Sequence, residues 1–329
     1  MMKHILNIKD NNLKRLLIIL VFVTILFSIL KGKLFFSVAN FQSMGKQFPE
    51  FALLSIAMAL SLFLGGIDLS VVYIATLGSV IIAKILPAVI TSATPSSTKI
   101  VIILLCFALA IFIGALCGMF NGFLVSVLNI PPILATLGTQ SLFQGISIVI
   151  TGGSTLQGLP MELSGMINKT ILGFPVTAII FILCALAVDF ILTRTKFGYE
   201  IRMLGTNLKA TIFSGLSNVA LTIKTYMIGG MLSAIAGIIM LGRFNSAKAD
   251  YGASYTMQSI LIAVMGGIDP NGGKGSIKGV VIAVIIIQMV SSWLNMYENI
   301  SNFYRQIIWG ALLVFVLIFN FYINKKQQR

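Results

Sequence analysis

The sequence predicts an all-α, polytopic membrane protein of about ten transmembrane helices, with one charged, helix-patterned segment held in water. Three observations predict it. Of 329 residues, 57% are hydrophobic and only 10% charged, against about 25% charged in a soluble domain, so too little polar surface exists to cover a water-facing exterior. Apolar runs of about 20 residues, enough to cross a ~30 Å hydrocarbon core at ~1.5 Å per residue, recur along the whole chain. The basic residues behind the net charge of +14 lie in short segments between those runs. That is the placement of the positive-inside bias, and with no aromatic-interleaved basic patch it argues against a nucleic-acid partner.

The first predicted span, 15–31, follows a basic start, and no small-residue cleavage site comes after it, so it is expected to be a retained helix rather than a signal peptide. Further spans are expected at 48–64, 71–90, 100–120, 132–150, 173–192, 222–242, 255–267, 278–297 and 305–323, the eighth being short. More than half of the Lys and Arg residues then fall on the N-terminal side of the membrane, including Lys3, Lys9, Lys14, Arg15, Lys325, Lys326 and Arg329. This predicts an inside N-terminus, an inside C-terminus and an even number of spans. One transmembrane domain is expected over 1–329.

Several joints are rich in Gly and Pro: 65–70, 129–132, 151–154 and 266–275. Irregular backbone near membrane depth survives only where protein covers it or water reaches it, so these joints mark a pathway or a subunit seam, or are ordinary turns. Gly-Gly-Ile-Asp occurs at 65–68 and again at 266–269, a hint of two related halves. Asp68, at the entry to the third span, is expected to cap that helix or to line a pathway, since a carboxylate costs about 2.5–3.5 kcal/mol at mid-membrane. Apart from Asp68, Lys84 and Asp189, ionisable residues are expected to be scarce inside the membrane.

Enzyme and metal chemistry find no support in the pattern. Cys106, Cys117 and Cys184 lie in apolar runs as small packing residues, and the only histidine is His4, so no metal site is expected. No nucleophile elbow and no clustered carboxylate pair is present. The glycine-rich stretch at 266–275 fails the phosphate-loop pattern G-x-x-x-x-G-K-[ST] twice, at Ile268 and at Gly275, so the chain is not expected to bind ATP.

The water-exposed segment is 194–224, with basic residues Arg194, Lys196, Arg202, Lys209 and Lys224. Asn207 suits an N-cap and Gly215 a helix close. Between them Ala210, Phe213 and Ser214 fall on one face at i, i+3 and i+4. A short surface helix of this kind docks into a partner's groove, the alternative being a helix lying on lipid headgroups.

Four ordered segments resemble one family. They are Gly65-Gly66-Ile67-Asp68-Leu69-Ser70-Val71; then Asn121-Gly122 with Ile130-Pro131-Pro132, Ala135-Thr136-Leu137-Gly138-Thr139 and Thr151-Gly152-Gly153. The third is Phe197-Gly198, Gly205-Thr206-Asn207, Ala210 and Ser214-Gly215, and the fourth Met265-Gly266-Gly267, Gly272-Gly273, Gly275-Ser276 and Gly279. Over about residues 50–300 the chain resembles the permease subunit of bacterial ABC importers of the ribose/xylose/galactoside type, which is also related to branched-chain amino-acid permeases. It departs from that pattern at Val72-Tyr73, where the family has Gly after Ser-Val, and at Thr256, Met257 and Gln258, where an acidic pair is common.

The resemblance implies a multi-pass protein of the bacterial inner (plasma) membrane that is not itself an enzyme. Its implied partners are a second permease subunit, the same or related, a cytoplasmic ATP-binding subunit that holds ATP and Mg, an extracytoplasmic solute-binding protein, and membrane lipid. It makes the cytoplasmic helix a coupling helix, with Gly205, Asn207, Ala210, Phe213, Ser214 and Gly215 as the ATPase-coupling set. Gly66, Asp68, Asn121, Pro131, Pro132, Thr136, Gly266, Gly267 and Gly273 become pathway or structural-signature residues. The implied solute is a sugar or sugar-like molecule. Nucleosides, a furanose-like signal molecule and branched-chain amino acids are alternatives on the same scaffold. A stand-alone secondary carrier and an intramembrane enzyme are the competing classes.

Overall fold

The computed structural model describes residues 11–91, 93–297, 304, 307–316 and 318. The expected inside residues Lys3, Lys9, Lys325, Lys326 and Arg329, and His4, lie outside the described residues. Helices α1 (Asn11–Phe35), α2 (Val38–Phe63), α3 (Val71–Val89), α4 (Ser96–Ser126) and α5 (Pro132–Thr151) open the chain. A short α6 (Met161–Ile167) follows, then a hairpin of β1 (Thr170–Ile171) and β2 (Phe174–Pro175). Next come α7 (Val176–Arg194), α8 (Lys196–Thr206), α9 (Leu208–Phe213), α10 (Asn218–Phe244), α11 (Tyr255–Met265) and α12 (Ile277–Leu294), and α13 at Ile307–Val316. The hairpin turns on Leu172 and Gly173, both with positive φ, as a two-residue type I′ turn requires.

Each of the ten expected spans falls on a helix. Seven of the described helices, α1, α3, α4, α5, α7, α10 and α12, are long and apolar enough to cross a membrane. The expected span at 255–267 needs correction: α11 has 11 residues, about 16 Å at ~1.5 Å per residue, and stops short of crossing. The last expected span, 305–323, is described over Ile307–Val316.

α2 is buried on every side from Pro49 to Phe63, the signature of a central helix rather than a lipid-facing one. Pro49 has no N–H to give the carbonyl of Gly45, four residues back. Thr177 of α7 replaces it, its hydroxyl donating to Gly45 O at 3.1 Å. The helix kept for the centre therefore has its one missing bond supplied by a neighbour.

α10 packs against α4 on one side and against α2 and α3 on others. Gly114, Gly118 and Gly122 form one stripe of α4, four residues apart. A Cβ on Gly118 would overlap the Tyr226 carbonyl oxygen, and one on Gly122 would sit 2.6 Å from Ile223 Cα. In lipid, helices associate by close packing rather than by escape from water, and small residues allow it. Gly118→Leu is therefore expected to separate α4 from α10 and abolish a monodisperse peak in detergent size-exclusion chromatography. A wild-type profile for that variant would contradict the packing described.

Candidate functional site: the joint at residues 195–217

Three helices in succession start at a polar cap. Thr195 Oγ1 accepts from Gly198 N at 3.3 Å and opens α8. Asn207 Oδ1 accepts from Ala210 N at 3.0 Å and opens α9. Ser217 Oγ accepts from Ala220 N at 3.3 Å and opens α10. Each side chain satisfies a donor that the first turn of a helix leaves without an internal partner. α9 closes on Gly215, at φ +78°, with Gly215 N donating to Ile212 O and Leu216 N to Thr211 O. This is a Schellman close, which needs the left-handed conformation glycine adopts freely. Ser214 is the C-cap of α9 rather than part of its face.

Of α9 only Thr211 is buried. Leu208, Ile212 and Phe213 project from it, and Phe213 is 91% exposed. Asn207, Ala210, Ser214 and Gly215 are exposed beside them. The expected knob-bearing surface therefore forms, with Leu208 and Ile212 added to it.

Gly205, at the end of α8, is fixed to the end of α2. A Cβ there would overlap the Phe63 carbonyl oxygen and lie 2.6 Å from Gly273 N. Gly273 N donates to that same oxygen at 2.9 Å. Arg202, one turn earlier, donates from Nη1 to Gly275 O at 2.9 Å and stacks over the Phe63 ring at 4.9 Å. The exposed α9 is thus joined, through backbone contacts, to α2 and to the turn between α11 and α12. Arg202 and Phe63 escaped sequence reasoning because their partners are distant in the chain.

A second cluster gathers Gly66, Asp68, Asn121, Pro132 and Thr136. Asp68 Oδ1 accepts from Ser70 N at 3.0 Å and from Ser70 Oγ at 2.7 Å. Asn121 Nδ2 donates to Ser70 Oγ at 2.7 Å. Leu69 N donates to Thr136 Oγ1 at 3.2 Å, and Gly66 has no room for a side chain against Pro132. Asp68 is 2% exposed, so in this conformation it organises the turn into α3 rather than facing an open path. Pro131 is exposed and stands immediately before α5.

Among the described residues Asp68 has no ion-pair partner. Asp68→Asn keeps the accepting oxygen and loses no charge partner, so its thermal stability in detergent is expected to match wild type. Asp68→Ala leaves two donors unmet and is expected to cost about 1–3 kcal/mol. Equal loss in both variants would show that the charge itself matters.

The repeated Gly-Gly-Ile-Asp is not one conformation used twice. Its first copy puts positive φ on Gly65, its second on Gly267. Both close a helix in the Schellman manner, and both aspartates accept from the backbone two residues on. Gly266, Gly267 and Gly273 belong to that second turn.

One buried ion pair inside the helices was not read. Glu50 lies fully buried on α2 and pairs with Arg243 of α10. The signal was present, since Glu50 is the third residue of the expected span 48–64 and Arg243 stands next to the expected end at 242.

Residues 42–317 match the family model described as branched-chain amino acid transport system / permease component. The autoinducer 2 import system permease protein LsrD of Yersinia enterocolitica is 31% identical over 291 residues, covering 87% of this chain and 82% of that protein. LsrD of Escherichia coli (strain SMS-3-5 / SECEC) gives the same identity and coverage. No solved structure matches the chain. The likeness to importers of the ribose/xylose type, first carried by motifs, is borne out across most of the chain. This chain belongs to the branched-chain amino acid transport system permease-component family and is a membrane-spanning permease of the ABC importer class.

Proposed function

We propose that this permease carries a sugar-like solute of the furanose kind, as one of two permease subunits, with an ATP-binding subunit docked on residues 207–215. The observation that carries the docking is Phe213, 91% exposed on a capped helix whose base is locked to the membrane bundle. An apolar side chain held out from a rigid mount is a docking knob, because a partner's pocket gains its burial without having to order it first. ATP and Mg belong to the partner. Closure of two such partners draws α9 inward, and Gly205 passes the movement to α2 as a rigid body.

In this reading α9 faces the cytoplasm together with both chain termini, in the inner membrane, and a solute-binding protein delivers the solute on the far side. The furanose class is supported by relatives named for import of autoinducer 2. The test is purification of the tagged chain in gentle detergent from native membranes, with partners identified by mass spectrometry. Recovery of a nucleotide-binding ATPase is expected. A partner-free chain, under conditions that preserve other importer complexes, overturns the reading.

A further inference from the structure

One buried polar cluster takes no part in the joint. Arg243 Nη2 lies 2.8 Å from Glu50 Oε1, and Tyr255 OH donates to the same oxygen. The three residues come from α2, the end of α10 and the start of α11. Glu50 stands about 20 Å from Phe63 along α2 at ~1.5 Å per residue, toward the opposite end of that helix from the joint. Its side chain is 0% exposed and that of Arg243 19%.

Stability does not account for such a pair. Replacing a buried ion pair by apolar residues of similar volume is often neutral or stabilising, because desolvation offsets the attraction. The cluster is also unfinished. Glu50 Oε2 and Arg243 Nε are buried and have no hydrogen-bond partner among the described residues. Asn245 Oδ1, two residues beyond Arg243, is in the same state. Aromatic rings flank the pair: Phe244 lies 4.3 Å from the Arg243 guanidinium carbon, and Phe51 lies 6.0 Å from the Tyr255 ring. The connection from 245 to 254 is irregular backbone that runs from the buried cluster to the surface at Asp250.

We propose that Glu50 and Arg243 form a solute-binding site for a neutral, polyhydroxylated molecule. The two groups already neutralise each other. Each still offers an unpartnered buried atom: Glu50 Oε2, a carboxylate oxygen that accepts from a hydroxyl, and Arg243 Nε, a guanidinium N–H that donates to one. Two adjacent hydroxyls of a sugar-like ring match that pair. The segment 245–254, which joins Arg243 to Tyr255 and carries the buried Asn245 Oδ1, is the entry route in this proposal, since its displacement unpacks no membrane helix. The site rests on the transport reading above and supplies its point of solute recognition.

The test is the triple variant Glu50→Met, Arg243→Met, Tyr255→Phe, which removes the pair without leaving an orphaned charge or hydroxyl. The single variant Glu50→Met strands the Arg243 charge and is expected to assemble poorly. The triple variant is expected to co-purify its ATPase in wild-type yield. Its uptake of autoinducer 2 and D-ribose, measured in cells that produce the full importer, is expected to fall by about a hundredfold or more, the loss of two charge-assisted hydrogen bonds. Wild-type uptake by the assembled triple variant overturns the site. A wild-type importer that takes up leucine and neither neutral probe overturns the polyol assignment. Failure of the transport reading itself would be seen separately, as the absence of any ATPase with the wild-type chain.

Discussion

A Gly205→Ala chain is expected to melt well below wild type and to lose ATPase coupling altogether. The added methyl group overlaps the Phe63 carbonyl oxygen and crowds Gly273 N. Both obstacles are backbone, so no rotamer relieves the clash. Either the 2.9 Å bond from Gly273 N to Phe63 O opens, or α8 lifts and takes Arg202 Nη1 off Gly275 O. Overpacking alone costs about 1–3 kcal/mol, and a stranded buried carbonyl adds about 1–3 kcal/mol more. The thermal midpoint of the detergent-solubilised chain, read by size exclusion after heating, checks this. A wild-type midpoint would mean that α8 does not bear on α2 as described.

Phe213→Asp is expected to have the opposite signature. The ring is almost wholly exposed, so the isolated chain should melt as wild type does. What should disappear is the partner. A central aromatic anchor in an interface carries about 2 kcal/mol or more, at least about thirtyfold in affinity, and a carboxylate placed in an apolar pocket adds a desolvation penalty. Co-purification of the ATPase subunit is the readout, with Phe213→Leu retaining most of it. Full retention with Asp at this position would move the docking surface elsewhere on 194–224. Together the two variants separate the base of the joint from its tip.

What was legible in the sequence was mostly local. Asn207 and Gly215 were readable because a cap needs only the residues beside it, and both take the expected geometry. The spans were readable because hydrocarbon thickness fixes their length. The shortness of α11 was half visible, since Gly266 and Gly267 stop it and Asp269-Pro270 follow within three residues. The separate helix α8 was not read, although Gly198, Ile201 and Leu204 stand three residues apart on its buried face. The contacts of Gly205 with Phe63 and Gly273 join segments far apart in the chain, and no local rule pairs them. The stripe Gly114, Gly118, Gly122 was visible as spacing, yet only packing names Tyr226 and Ile223 as what it receives. Glu50 escaped because a single acid at the edge of a span looks like a boundary until its partner is seen.

Side chains rotate, and a linkage made of them has play. The contact between Gly205 and Phe63 is main chain against main chain, with a single hydrogen bond alongside it. Such a hinge has almost no backlash: a small push at the tip arrives at the bundle nearly undiminished. It also separates two kinds of change over time. The gear at residues 205, 272 and 273 tolerates no new side chain, whereas the tooth at 208–213 faces outward and is free to be recut for a different motor.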